Sequence, residues 1–219
     1  MITVIGGHKG GAGKTTLATN LTVLRSASGY KVLLVDADEQ RSSSDWAEQR
    51  ESFGIETSWS TIQLAGKSIF SQIQRLGADF DDVIIDVGGR DTTSQRSALT
   101  VADLFVVPFK PRSLDIWTIG AVKAMINEVK AVNPGLKCIA IINQADSRGQ
   151  DNEDAIQALK ECEEMTCLSF TIGHRKAFAN AAALGLGVTE LKTGQDKKAV
   201  EEISMFYDWI YSTCEVTTK

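Results

Sequence analysis

The sequence predicts an α/β protein: a doubly wound, mostly parallel sheet with helices on both faces. Three observations carry that expectation. Short continuous apolar runs alternate with stretches of helical periodicity along a chain of 219 residues, which is the pattern of parallel sheets. Several runs end in a carboxylate or amide, namely Asp36, Asp86 and Asn143. The run at 2–5 passes through a glycine-rich stretch straight into a helical pattern. In such sheets ligands bind at the carboxyl ends of strands, and all three features fall there.

The elements follow in order. Ile2 to Ile5 is the first strand, and Lys14 to Ser28 the first helix, with Leu17, Leu21 and Leu24 on its buried face and Gly29 as its stop. Lys31 to Asp36 is a continuous apolar run ending in a carboxylate, suited to a strand buried on both faces. A short helix through Trp46 and Arg50 is expected next, then a strand within Thr57 to Leu64 and a helix from Ser68 to Leu76. Asp82 to Asp86 repeats the strand-then-aspartate design, and Val87-Gly88-Gly89 turns away from it. Thr93 to Val101 reads as a helix and Leu104 to Pro108 as a strand. The turn Phe109-Lys110-Pro111-Arg112 leads to a Ser113 cap and a helix from Leu114 to about Val132, closed by Asn133-Pro134-Gly135. Cys138 to Ile142 is a strand, Asn152 to Cys162 a helix, and Cys167 to Phe170 the last strand. Two helices close the chain, near Lys176 to Leu184 and Lys197 to Cys214.

Composition narrows the function classes. A hydrophobic fraction of 43% and a charged fraction of 23% are ordinary for one globular domain spanning 1–219. No apolar run approaches the roughly 18 residues of a membrane span. The first strand starts at residue 2, so no signal peptide, transit peptide or N-terminal DNA-reading domain is expected. Four cysteines without Cys-x-x-Cys spacing, and two histidines, point to reduced thiols in a cytoplasmic protein rather than to a metal centre. The net charge of −5 argues against nucleic acid as a partner only on average, since a local basic face can still bind it.

The glycine stretch carries the most chemistry. Gly10, Gly11, Ala12 and Gly13 let backbone N–H groups converge, and the helix behind them aims its positive end at the same point. A polyphosphate supplies the acceptors such a loop needs. Lys14 would reach the β- and γ-phosphates, the Thr15 hydroxyl would hold Mg²⁺, and Thr16 would sit near the α-phosphate. Asp86, closing a hydrophobic strand, is the candidate to hold the Mg²⁺ through a coordinated water. Asp36 and Asp38 stand two residues apart and would repel unless a cation or separate tasks divide them.

The general phosphate-loop pattern has a glycine at position 8, where this chain has His8, and carries a second lysine at Lys9. Lys-Gly-Gly-Ala-Gly-Lys-Thr-Thr resembles the deviant Walker A loop of the ParA/MinD ATPases, and the chain is most similar to small partition ATPases of the ParF kind. Val35-Asp36-Ala37-Asp38 with Trp46 downstream, and Asp103 to Pro108 with Ser113-Leu114-Asp115, add to that resemblance. It implies that Lys9 crosses an ATP-bound homodimer to touch the partner's nucleotide. It also implies that Asp38 orients the hydrolytic water and that Asp36 supports the Mg²⁺ side. Glu39 stands where the family usually has proline, and Val-Gly-Gly lacks the prolines frequent after Asp86. Asn143 matches an asparagine that the family often sets against adenine, and equally matches a turn residue. With no Asn-Lys-x-Asp signature in the sequence, ATP is expected over GTP.

The resemblance further implies non-specific DNA binding and stimulation of ATP hydrolysis by a ParB-like centromere-binding or adaptor protein, the ATP-bound form residing on the nucleoid. Arg175 and Lys176 after the last strand, Lys192, Lys197 and Lys198 near the final helix, and Arg148 are the basic candidates, Arg175 favoured by resemblance. Positioning of carboxysomes or other clusters is the alternative within the family. A MinD-like membrane-bound form needs a basic amphipathic tail, whereas this one carries Glu201, Glu202, Asp208 and Glu215, so no membrane partner is expected. A switch without hydrolysis is a third reading, and intact Lys9, Lys14, Asp38 and Asp86 argue against it.

Overall fold

The structure is a computed structural model that describes residues 1–89, 93–111, 116–148 and 150–215, with the backbone alone described at 116, 117 and 213–215. Its elements in chain order are β1 Ile2–Ile5, α1 Lys14–Ala27, β2 Val32–Ala37, α2 Ser42–Ser52, β3 Ser60–Gln63, α3 Ser68–Leu76, β4 Asp82–Val87 and α4 Thr93–Leu99. The second half continues with β5 Leu104–Phe109, α5 Ile116–Lys130, β6 Lys137–Ala145, α6 Asp151–Lys160, β7 Thr166–Gly173, α7 Lys176–Ala182 and α8 Lys197–Glu215. Single 3₁₀ turns occupy Gly77–Asp79 and Val188–Glu190.

Seven strands form one sheet in the order β3-β2-β4-β1-β5-β6-β7, and every pairing is parallel. The expected "mostly" parallel sheet is therefore parallel throughout. β2, β4 and β5 are buried at every position, as continuous apolar runs should be between two helical layers. Alternate residues of β4 face opposite sides: Val83, Ile85 and Val87 join the core beneath α3, α4, α5 and α6. Ile84 joins the core beneath α1, α2, α7 and α8. The chain runs outward from β1 in one direction and then in the other, which opens a crevice at the carboxyl ends of β1 and its neighbours.

The end of β6 differs from expectation for a physical reason, whereas β3 falls within the expected stretch. β3 is only Ser60–Gln63, a short, partly exposed edge strand, and edges are kept short to discourage pairing with other chains. β6 continues to Ala145 because β7 keeps pairing with it, Asn143 opposite Ile172 and Ala145 opposite Gly173 across an irregularity. Asn143 therefore lies within a strand, not in the turn after one. The Ser113 cap, with Arg112, Leu114 and Asp115, lies outside the described residues.

Candidate nucleotide site

The loop between β1 and α1 is held from behind by amides. Asn143 Nδ2 donates to the Ala12 carbonyl at 2.7 Å, and Gln144 Nε2 to the Gly11 carbonyl at 3.0 Å. Gly7 N–H donates to Gln95 Oε1 at 3.0 Å. Two of these bonds hold loop carbonyls and the third a loop N–H, and together they fix the loop's path. Gly13 sits at the head of α1 with φ 82 and gives no side-chain cap. A side chain there is excluded twice, by the left-handed backbone and by the Asn143 amide, against which a Cβ would collide. The first N–H groups of α1 have no acceptor within the helix, and the helix dipole adds positive potential. The loop is thus shaped to take an anion.

Lys14 and Thr15 open α1. Lys14 is 6% exposed and its ammonium donates to the Lys9 carbonyl at 3.2 Å. Burial pushes its pKa down, opposed by the carboxylates of Asp86 and Asp38. Asp86 and Asp36 lie side by side on β4 and β2. Asp36 accepts from the Asp38 N–H at 3.1 Å and from the Ser44 N–H at 2.7 Å, so its oxygens order the loop before α2 and the first turn of that helix. Asp86 accepts from the Ser43 hydroxyl at 2.6 Å through Oδ2, while its buried Oδ1 has no partner. Burial raises the Asp86 carboxyl to about 7, and the Ser43 and Thr15 hydroxyls pull against that rise. Asp38 is half-buried, accepts from the Gln40 N–H at 3.0 Å, and lies against Gly88. Gly89 packs so closely on the Lys9–Gly10 backbone that any side chain would collide with it.

Lys14, Thr15, Asp38, Gly88, Gly89 and Gln144 line one open cleft of about 700 Å³. Thr16 lies on its flank, in a second cleft of about 440 Å³ with Thr19, Asp45 and Gln49. Lys9 is exposed beside the loop. The donor set fits a nucleoside triphosphate with a hydrated divalent cation: an orphaned carboxylate oxygen, a hydroxyl and a nest of N–H groups. No cluster of three or more His, Cys, Asp or Glu side chains able to hold a metal occurs among the described residues.

Other residues singled out from the sequence do not line that cleft. Asn143 is buried against Ala12, as a support of the loop. Arg175 is engaged by Glu202 through two nitrogens and by Asp196 at 3.7 Å, so its charge is largely compensated. Lys176, Lys197 and Arg148 are exposed. Lys197 follows Asp196 and so stands beside Arg175, and Arg148 lies in the segment between β6 and α6. Three supports went unread in the sequence: Ser43, Gln95 and Gln144. Gln95 and Gln144 carry no local signal, and Ser43 sits in a serine run that signals only a helix start.

A family model described as the CobQ/CobB/MinD/ParA nucleotide binding domain matches residues 3–188. The maintenance of carboxysome distribution protein A of Halothiobacillus neapolitanus is 26% identical over 90% of this chain and 89% of its own length. A ParA protein of Rhizobium radiobacter is 34% identical over 55% of this chain and 53% of its own. Among solved structures, cobyrinic acid a,c-diamide synthase from Mycobacterium smegmatis, with bound ATP analog and magnesium, superposes with a TM-score of 0.77. It shares 19% identity over 98% of this chain and 95% of that one, a likeness of fold.

Proposed function

The chain belongs to the CobQ/CobB/MinD/ParA nucleotide-binding family, and from that premise we propose that it is a ParA-like positioning ATPase. It binds ATP with Mg²⁺, pairs with a second copy face to face, binds DNA without sequence preference, and hydrolyses ATP when an adaptor stimulates it. One observation carries the reading. Lys14, Thr15 and Asp38 line a single cleft at the strand ends, Asp86 lies in contact with Thr15 beneath it, and Lys9 stands exposed at its edge.

The residue roles follow from that placement. The loop N–H groups and Lys14 take the phosphates, and Thr15 with Asp86 hold Mg²⁺, which when bound spreads the charge that develops on the transferred phosphoryl group. Asp38 accepts a hydrogen bond from the attacking water and aligns it. Lys9 lies outside its own cleft, where it can reach a facing copy's nucleotide. Asp36, with one oxygen engaged by the loop and the other by the first turn of α2, supports the Mg²⁺ side indirectly. Asn143 acts on the nucleotide through the loop it supports.

Cargo is assigned to plasmid or chromosome DNA, with a ParB-like partner and a cytoplasmic, nucleoid-associated location. Carboxysome positioning is the second reading, favoured by the Halothiobacillus relative that aligns along nearly the whole chain. A membrane-lying α8 is disfavoured, because Ile203, Phe206 and Ile210 are fully buried in the core. No helix among the described residues is long and apolar enough to cross a membrane.

The test uses Asp38→Ala. With ATP and Mg²⁺ the variant should accumulate as a dimer in light scattering, while hydrolysis falls at least about 10²-fold, the loss typical when a positioned acid–base group is removed. A variant that stays monomeric at high concentration, or turns over ATP at the native rate, overturns the reading.

A further inference from the structure

Ser43 is fully buried in the first turn of α2. Its hydroxyl donates to Asp86 Oδ2 at 2.6 Å, and the next residue, Ser44, gives its backbone N–H to Asp36 Oδ2 at 2.7 Å. One helical turn therefore serves two carboxylates that stand side by side on neighbouring strands. Carboxylates so placed repel, and the N-terminus of a helix answers that repulsion with partial positive charge.

What the turn leaves undone is as informative as what it does. Asp86 is 1% exposed, and its Oδ1 has no hydrogen-bond partner. A buried carboxylate oxygen without a donor is costly, so the arrangement suits a donor that arrives with a ligand. The Ser43 bond decides which oxygen is kept back. With Oδ2 engaged, Oδ1 remains the open acceptor of a carboxylate that the Thr15 hydroxyl also influences.

We propose that Ser43 is a positioning residue for the cation of the nucleotide, holding Asp86 so that Oδ1 can accept from the cation's hydration shell. The inference rests on the nucleotide reading of the cleft and adds to it a residue that neither the glycine loop nor the strand-end aspartates identify. A group that orients a metal-supporting carboxylate acts through it, and loss of such a group typically weakens metal affinity about 10–100-fold.

The experiment measures binding of a fluorescent ATP analogue in EDTA and along a Mg²⁺ titration, for the native chain, Ser43→Ala and Ser52→Ala. Ser52 is exposed at the far end of the same helix and lines neither cleft. Thermal unfolding without nucleotide checks the fold of each, and Ser43→Cys, close to serine in volume and a weak donor, serves if alanine does not fold. Ser43→Ala should match the native affinity in EDTA yet need about 10-fold more Mg²⁺ to reach half of the Mg²⁺-dependent gain, while Ser52→Ala follows the native curve. A Ser43 variant with the native Mg²⁺ requirement overturns the proposal. So does an equal loss with and without Mg²⁺, which marks a bolt for α2 and nothing more. If the native chain itself binds no tighter with Mg²⁺ than in EDTA, the nucleotide reading falls and takes this inference with it, an outcome read in a different sample.

Discussion

At the scale of single residues the site is defined by charges that the fold makes costly. Asp86 is buried with one oxygen unpartnered, and its carboxyl is raised to about 7, first by burial and then by Asp36. The sign of its contribution to stability follows from that rise. In the unfolded chain Asp86 ionises near the ordinary carboxylate value of about 3.9, so between there and about 7 the folded state binds the extra proton. Stability from this group is present at acid pH, falls as pH climbs through that window, and stays low above it. Asp86→Asn removes the charge while leaving an acceptor for Ser43. The nucleotide-free variant should therefore melt higher than the native chain at pH 8, by about 2–4 °C for each kcal/mol recovered, with the difference closing toward pH 4. The same variant should lose its response to Mg²⁺. Scanning calorimetry across pH checks the first part, and a native chain that melts higher at pH 8 contradicts it. Stability given up at a functional charge is a common trade. The thiols show the opposite economy: burial pushes Cys138 up to about 11, leaving it protonated and inert.

At the scale of elements, α2 links the cleft to the far side of its helical layer. Its first turn holds Asp36 and Asp86. Near its end Arg50, 4% exposed, bonds Glu190 through two nitrogens, donates to the Gly185 and Glu56 carbonyls, and lies over the Trp59 ring. Trp59 in turn stacks on Trp46 at 5.6 Å. Arg50→Ala leaves Glu190 and two carbonyls without that donor and should cost about 3 kcal/mol, read as a shift of the urea midpoint at unchanged m-value. A loss below about 1 kcal/mol would show that the cluster is ordinary surface. This cluster also marks the limit of what the sequence discloses. β2, β4 and β5 were legible because continuous apolar runs have one use in such a chain, and the glycine loop because its spacing has one chemistry. The placement of Asp36 and Asp86 at strand ends was legible for the same reason. The pairing of Arg50 with Glu190, the Asn143 bond to Ala12 and the Ser43 bond to Asp86 join residues 140, 131 and 43 positions apart, and no local pattern announces such contacts. The end of β6 was missed because pairing with β7, rather than residue preference, extends it past Ile142.

At the scale of the whole molecule the proposed DNA binding turns on which charges could face a nucleic acid. The sequence and the family resemblance favoured Arg175, but Glu202 and Asp196 engage it at the junction of α7 and α8. Arg175→Glu would set three carboxyl groups against one another and disturb that junction, so any change in DNA retention would carry a folding component. Lys176 and Lys197 are exposed at the starts of the same two helices, and Asp196, beside Lys197, meets Arg175. They are the better test of a DNA face. An overall charge of −5 means that attraction to DNA must come from a local patch. Each phosphate contact adds about 0.9 to the salt slope of the affinity, so two lysines on each of two paired copies account for about 3.6. Lys176→Ala with Lys197→Ala should flatten the slope by roughly that amount for the ATP-loaded dimer and by about half as much for a monomer. Basal hydrolysis should be unchanged, since neither residue lines the nucleotide cleft. Fluorescence anisotropy on a duplex of arbitrary sequence, taken across a salt series, measures the slope directly. An unaltered slope removes these two lysines from the DNA face, and a loss of affinity that does not vary with salt points to a damaged fold.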